Sequence, residues 1–342
     1  MRSPERTTSA APRNSAPVGS PSGPPGSLEL ARGRRRTGFA RTSEGTELFY
    51  EVLGDVPADV SPSGTRSPHS TTLLLCDGLG CDGYVWKYLQ WALSPTYRLV
   101  HFHYRGHGQS ALPADLSSVT LSDFTRDALT VLDACGIEKA VFCGHSMGVQ
   151  VALDAYKQAQ ARVAGLVLVC GSYGNPLRTF KGSDRLESLL PLVRAAVSRV
   201  PSLVGALWRR AIPTELSYYL AQRIEIDGQL VRKEDFFPYL EGVARMDPRM
   251  FVCTLAAAGQ HNAREVLPTI SAPTLILAGR RDSFTPMELS LQMQREIPEA
   301  ELHVVEQGTH TAPIERPAEV TEVITDFLCR RVLNSSSNGA RP

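Results

Sequence analysis

The sequence predicts an α/β fold: a mostly parallel central sheet with helices on both faces and a helical cap inserted late in the sheet. Three observations carry this. Short, continuous apolar runs alternate with amphipathic helical patterns along most of the 342 residues, as strands buried on both faces do. One block, 173–268, interrupts the alternation with helical patterns only. The composition, 42% hydrophobic and 21% charged, suits a chain that buries a substantial core.

Residues 1–42 hold six prolines, eight arginines and two acids. A segment so poor in apolar periodicity cannot offset its ordering entropy and reads as a disordered basic tail. The run "GRRRTGF" at 33–39 belongs to that tail, and no apolar stretch of a secretory signal follows it. Strand 48–53 comes next, then a Pro/Ser-rich loop at 55–70 and a buried strand at 71–76. A short helix at 84–92 and a strand at 97–104 follow. The pattern at 121–135 is helical, with Phe124, Ala128, Val131 and Leu132 on one face. Strand 140–143, helix 147–159 and strand 163–170 complete the first part of the core, 43–172.

The block 173–268 contains at least four helical patterns, among them "SDRLESLLPLVRAAVSRV" and "KEDFFPYLEGVARM". A helical insertion between sheet strands should lie over their C-terminal edge, where open α/β sheets bind ligands. Its apolar side chains, including Leu189, Leu192, Val193, Leu203, Leu207, Trp208, Phe236 and Tyr239, should divide between packing on the core and lining an apolar pocket. The core resumes at 269–333 with strand 274–278, helix 286–297, strand 302–306 and helix 317–333. Residues 334–342 read as a second tail.

Bulk properties exclude several roles. The formal net charge of +1 gives no whole-chain attraction for nucleic acid or an acidic partner. No window approaches the eighteen or so apolar residues of a membrane span. The seven cysteines are odd in number and show no C-x-x-C spacing, which predicts buried thiols in a reducing, cytoplasmic setting. Cys76 and Cys81 would need two further ligands to hold zinc. No metal and no cofactor are expected.

Chemistry enters at "VFCGHSMGVQVALDA", which contains G-x-S-x-G as Gly144, His145, Ser146, Met147 and Gly148. The motif alone is weak, but a short apolar strand precedes it and a helical pattern follows. That is the sharp turn in which a serine is held up at a sheet edge. Glycines are needed because strand and helix approach too closely for side chains. A serine nucleophile needs a base and an orienting acid, in the chain order Ser, acid, His on this architecture. "TLILAGRRDSFTP" puts Asp282 after the strand at 274–278, and "ELHVVEQGTHTAPIERP" puts His310 after the strand at 302–306. The lesser alternative is that Asp282 caps the helix that follows it. The "CGSYGN" loop offers no rival acid. His145 should point away from the nucleophile, and His103 and His107 should be loop scaffolding.

These segments, together with "HYRGHGQS" at 103–110 and "DGLG" at 77–80, resemble the α/β-hydrolase superfamily over about 43–172 and 269–333. The resemblance implies a Ser146–His310–Asp282 triad and an oxyanion hole formed by the backbone N–H groups of Leu79 and Met147. Gly78 and Gly80 would then shape the oxyanion turn. It implies acyl transfer from a small-molecule substrate, a partly hydrophobic carboxylic ester, to Ser146 and then to water. Perhydrolase, haloperoxidase or acyltransferase chemistry with the same triad stays open, as does a non-catalytic binding module on the same fold. A serine nucleophile argues against the branches that carry aspartate there.

Two positions depart from the family pattern. Asp77 stands where relatives commonly have histidine, and His103 where they commonly have aspartate. Either the pair is exchanged, with Asp77 accepting a hydrogen bond from His103, or the two substitutions face different groups. Asp82, just before the helix from 84, reads as a helix-start carboxylate.

Overall fold

The computed structural model describes residues 35–54, 71–116, 119–174, 185–224 and 226–333. The loop expected at 55–70, the tail at 334–342 and most of the tail at 1–42 lie outside the described residues. Eight strands form one sheet in the order β1-β2-β4-β3-β5-β6-β7-β8. They are β1 (Arg36–Arg41), β2 (Glu47–Leu53), β3 (Thr72–Cys76), β4 (Arg98–Phe102), β5 (Ala140–His145), β6 (Val163–Val169), β7 (Thr274–Gly279) and β8 (Glu301–Val305). β1–β2 and β2–β4 pair antiparallel; the other neighbours are parallel.

The strands read as unbroken apolar runs because both their faces are covered. Leu74 and Cys76 of β3, with Phe142 of β5, point into one core. Leu73, Leu75, Val141 and Cys143 point into the other. This is the two-residue alternation of a pleated strand.

The helices outside the insertion are α1 (Lys87–Leu93), α2 (Leu121–Ala134), α3 (Met147–Ala159), α9 (Met287–Glu296), α10 (Ala312–Glu315) and α11 (Pro317–Phe327). α2 starts where Asp123 accepts the Thr120 N–H at 2.6 Å, reciprocal capping that satisfies an otherwise orphaned donor. Arg105, from the "HYRGHGQS" segment, grips Asp127 of α2 with two hydrogen bonds of 2.9 and 2.6 Å. That buried pair ties the loop after β4 to the helix layer. The predicted helix from 84 begins as a 3-10 turn, Tyr84–Trp86.

Between β6 and β7 lie α4 (Arg185–Arg199), α5 (Pro201–Ala211), α6 (Glu215–Ile224), α7 (Lys233–Arg245) and α8 (Pro248–Gln260). The last of these belongs as much to the core as to the insertion: Met250, Ala257 and Ala258 sit in the core cluster that α2 and α3 share.

One boundary of the predicted basic tail is corrected. Arg36–Arg41 is an edge strand paired with β2, and Arg35 bridges to Glu51 at 2.5 Å. An outermost strand needs little apolar alternation, because its backbone ladder and one covered side hold it. Here Ala40 is buried and Phe39 stacks edge-on against Phe49 at 5.6 Å. Its charged, outward residues are what protects a sheet edge from pairing further.

Candidate active site

β5 ends at His145 and α3 begins at Met147, so Ser146 makes the whole turn. Its φ of 54° and ψ of −116° place a non-glycine residue in a sparsely populated region, at a cost of about 1–3 kcal/mol. The Ser146 N–H donates to the Val169 carbonyl at 3.0 Å, and its own carbonyl accepts from Val149 at 3.1 Å. These bonds keep the turn in place.

The flanking glycines are required by close approach. A Cβ on Gly144 would stand 2.2 Å from the Gly148 carbonyl oxygen, and one on Gly148 would stand 2.1 Å from the Cys76 carbonyl oxygen. Both obstacles are backbone and cannot rotate away. Gly148→Ala should therefore cost about 3 kcal/mol or more of stability. Gly205→Ala in α5 meets only a flexible arginine tip at 3.4 Å and should be neutral or stabilising by about 0.5–1 kcal/mol. Urea unfolding of the two variants checks this, and equal effects would refute the close-approach argument.

The structure brings the three predicted side chains together. The Ser146 hydroxyl lies 2.9 Å from His310 Nε2, and His310 Nδ1 lies 2.9 Å from Asp282 Oδ2. Asp282 does not cap the helix that follows, whose N-cap position is Pro286, but its two oxygens divide between the preceding turn and His310. Oδ1 accepts the N–H groups of Phe284 and Thr285 at 2.8 and 2.9 Å, capping the turn before α9. Oδ2 takes His310 and the Thr285 hydroxyl, the latter at 2.7 Å. Burial opposes charge on this carboxyl, but the His310 imidazole and the Thr285 donors outweigh it and hold the group below the usual carboxylate range.

The loop carrying His310 is stapled by Glu315, which sequence reasoning missed. Glu315 accepts the Thr309 N–H at 2.6 Å, the Thr309 hydroxyl at 2.5 Å and the Thr311 hydroxyl at 3.1 Å. A glutamate after "HTAPI" carries no sequence signal of that role; its partners become visible only when the loop closes.

His145 does not point away from the site. It donates from Nε2 to the His310 carbonyl at 2.9 Å, and the two rings lie 5.1 Å apart. Burial first, and then His310, push its pKa down to about 3, so it stays neutral and braces the base. His103 and His107 are scaffold, as expected. His103 Nδ1 accepts the Gln109 N–H at 2.8 Å, and the His107 ring bonds the Arg105 carbonyl at 3.0 Å.

The "DGLG" turn lies directly against Ser146: a Cβ on Gly78 would stand 3.1 Å from Ser146 Cβ. Gly80 has φ of 71°, a left-handed turn that favours glycine. The backbone N–H groups of Leu79 and Met147 have no acceptor among the described residues, and both residues line the cavity above Ser146.

Asp77 is not paired with His103. Its Oδ2 lies 2.8 Å from His101 Nε2, and His101 Nδ1 lies 3.3 Å from Glu51. In the β3–β4 register Leu75 faces His101, so extrapolation would set 77 beside 103. β3 ends at Cys76, however, and the chain turns, so the Asp77 carboxylate meets the histidine one pleat earlier. Burial works against a charge on His101, but Asp77 and Glu51 overcome it and raise its pKa to about 10. Burial likewise opposes charge on Glu51, yet His101 and Arg35 lower it to about 2. The His101 ring thus lies buried between two carboxyl groups beneath the "DGLG" turn.

Asp82 does not cap the helix from 84; Gly83 holds that position. Asp82 reaches Arg245 of α7 at 3.5 Å instead and so ties the turn to the insertion.

Above Ser146 opens a cavity of about 300 Å³. Its walls are mainly apolar, with Leu79, Met147, Tyr239, Phe251, Leu255 and Phe284, and its polar members include Gln150, Ser172 and Thr285. Gln150 is buried, and its Nε2 donates to the Ala258 carbonyl at 2.9 Å, which fixes the amide's orientation. Its Oε1 has no donor among the described residues. The expected lining is corrected here. Of the insertion residues named from sequence, Tyr239 lines the cavity and Phe236 is buried. Leu189, Leu192, Val193, Leu203 and Leu207 face outward. α8 supplies Phe251, Leu255 and Ala258 in their place. Among the described residues no cluster of His, Cys, Asp or Glu could hold a metal ion.

The chain belongs to the family of the alpha/beta hydrolase fold, whose model matches residues 71–317. It is 27% identical over 260 residues to 3-oxoadipate enol-lactonase 1 of Acinetobacter baylyi, covering 76% of this chain and 89% of that one. It is 29% identical over 301 residues to 2-hydroxy-6-oxononadienedioate/2-hydroxy-6-oxononatrienedioate hydrolase 2 of Pseudomonas putida, covering 85% and 95%. Among solved structures it is similar to the enol-lactonase from Burkholderia xenovorans LB400. There the TM-score is 0.63 at 23% identity, over 86% of this chain and 100% of that one.

Proposed function

We propose that this protein is a serine hydrolase that cleaves a small to medium, partly hydrophobic carboxylic ester through an acyl-enzyme on Ser146. The observation that carries this reading is the unbroken relay Ser146–His310–Asp282, opening on an apolar cavity beside two backbone N–H groups that have no acceptor among the described residues. In the first half-reaction His310 Nε2 takes the Ser146 proton as the oxygen attacks the ester carbonyl. Asp282 holds the imidazole in the tautomer that can accept and stabilises the imidazolium. The N–H groups of Leu79 and Met147 receive the oxyanion, each donor being worth about 3–4 kcal/mol in such sites. His310 then protonates the departing alcohol. A water, deprotonated by His310, attacks the acyl-enzyme and releases the acid.

The relatives named as an enol-lactonase and a hydrolase support a hydrolytic reading. The unsatisfied Gln150 oxygen favours an acyl group that carries a hydrogen-bond donor, since a buried acceptor left unpaired is costly. No disulfide joins the seven cysteines, which suits a reducing, cytoplasmic setting.

A fluorophosphonate probe followed by a chain-length series of p-nitrophenyl esters and lactones tests the proposal. Labelling should occur on Ser146, and turnover should be highest for short and medium acyl chains. Labelling without turnover of any ester or lactone would sink the ester reading while leaving the nucleophile in place.

A further inference from the structure

We propose that the outward faces of α4, α5 and α6 dock the protein on the surface of an anionic lipid bilayer. Amphipathic helices of a globular protein normally turn their apolar stripe inward. These three turn theirs out. On α4 the stripe is Leu189, Leu192 and Val193; on α5 it is Leu203 and Leu207; on α6 it is Leu216, Tyr219 and Leu220. Their exposures run from 44% to 68%. Scattered exposed leucines are ordinary, but stripes at helical spacing on three successive helices mark an interaction surface.

Charge selects the occupant. From the start of α4 to the end of α6 the sequence has six arginines and two acids, Glu187 and Glu215, and Glu215 is engaged by Lys233. Arg199, Arg209 and Arg210, and Arg223 fall in the last turns of α4, α5 and α6 respectively. On α5 the spacing continues the stripe, Leu203, Leu207, Arg210, and on α6 Leu216, Leu220, Arg223. Arginines at the ends of apolar stripes reach phosphate headgroups while the stripe enters the acyl boundary. A second copy would set arginine against arginine, which disfavours self-association through this face.

Geometry selects the depth. α4 and α5 are together apolar enough for lipid but meet at a bend of 108°, and no single helix among the described residues is long and apolar enough to cross a membrane. The helices lie along the surface. α5 stands one layer behind the cavity: its Trp208 donates to the Val243 carbonyl at 2.7 Å and packs 5.1 Å from Phe251, a cavity-wall residue.

The test is co-sedimentation of the full chain with phosphatidylcholine vesicles, with and without about a third phosphatidylglycerol. Binding should be about tenfold or more stronger on the anionic vesicles and weaken with salt. Leu203→Glu with Leu207→Glu should reduce it at least about tenfold. Fluorophosphonate labelling of Ser146 should be retained, which reports an intact fold. Arg209→Gln with Arg210→Gln, which leaves the apolar stripe untouched, should remove the preference for anionic lipid. Absence of binding to either vesicle overturns the proposal. So does undiminished binding by both variants, which would assign the attraction to the arginine-rich residues 1–34. A dimer seen by light scattering that the glutamates disperse, with no vesicle binding, would give the face to a second copy instead.

Discussion

Ser146→Ala should lower turnover of any ester substrate by about 10⁶-fold and leave the fold intact. The substitution removes one hydroxyl from a turn whose backbone is held by Val169 and Val149, so circular dichroism and the thermal midpoint should hardly change. His310→Ala should cost about as much, and the double variant little more than either, because the groups act as one unit. Asp282→Asn should cost about 10⁴-fold, since an amide can present a donor to His310 Nδ1 and favour the wrong tautomer. Residual activity above the uncatalysed rate would measure what the Leu79 and Met147 N–H groups and the cavity contribute. Single-turnover kinetics with a p-nitrophenyl ester reads all four variants. Losses that add in the double variant would mean that Ser146 and His310 do not act on one step.

His101→Leu should cost about 3–5 kcal/mol of stability, the effect typical of stranding a buried charge. It leaves Asp77, which is 1% exposed, without its cation and loosens the floor of the turn that carries Leu79. Asp77→Leu combined with His101→Leu should recover part of the loss, because Asp77 is then no longer stranded and Glu51 keeps Arg35. The network also sets a pH dependence. The folded pKa of His101, about 10, lies above the ordinary value of 6.5. Its contribution is thus full below about 6.5 and is lost as pH rises through 10. Glu51 is held at about 2 rather than 4.5, so its contribution is full above about 4.5 and is lost as pH falls through 2. Unfolding free energy of the wild type should decline between pH 7 and 10 with a slope approaching ~1.4 kcal/mol per pH unit from this one proton. The His101→Leu variant should lack that component. Identical alkaline slopes in the two proteins would remove His101 from the account.

The predicted elements and the observed ones agree best where burial is two-sided. Strands such as 71–76 and 163–170 announce themselves because nearly every position is covered, so little interrupts the apolar run. β1 gave no such signal. An edge strand is held by backbone pairing, which any residue can supply, and "RTGFAR" therefore read as part of a tail. The glycines of the elbow were legible because steric exclusion leaves no other residue type. The triad was legible because its chemistry admits few side chains and its chain order follows the strand ends.

What remained hidden depends on where side chains turn after the backbone has turned. The sequence by itself determined the layered α/β fold, the sharp turn at Ser146 and which three side chains the strand ends bring together, since each follows from local periodicity, steric demand or scarce chemistry. Only the tertiary structure decided that Asp77 takes His101 rather than His103, because the end of β3 breaks the register on which the expectation rested. It also decided that Glu315 and His145 brace the base, and that α8 rather than the first insertion helices walls the cavity. The apolar stripes of α4 and α5 looked like lining because periodicity reports that a helix has two faces. Which face turns inward is settled by packing against the rest of the chain.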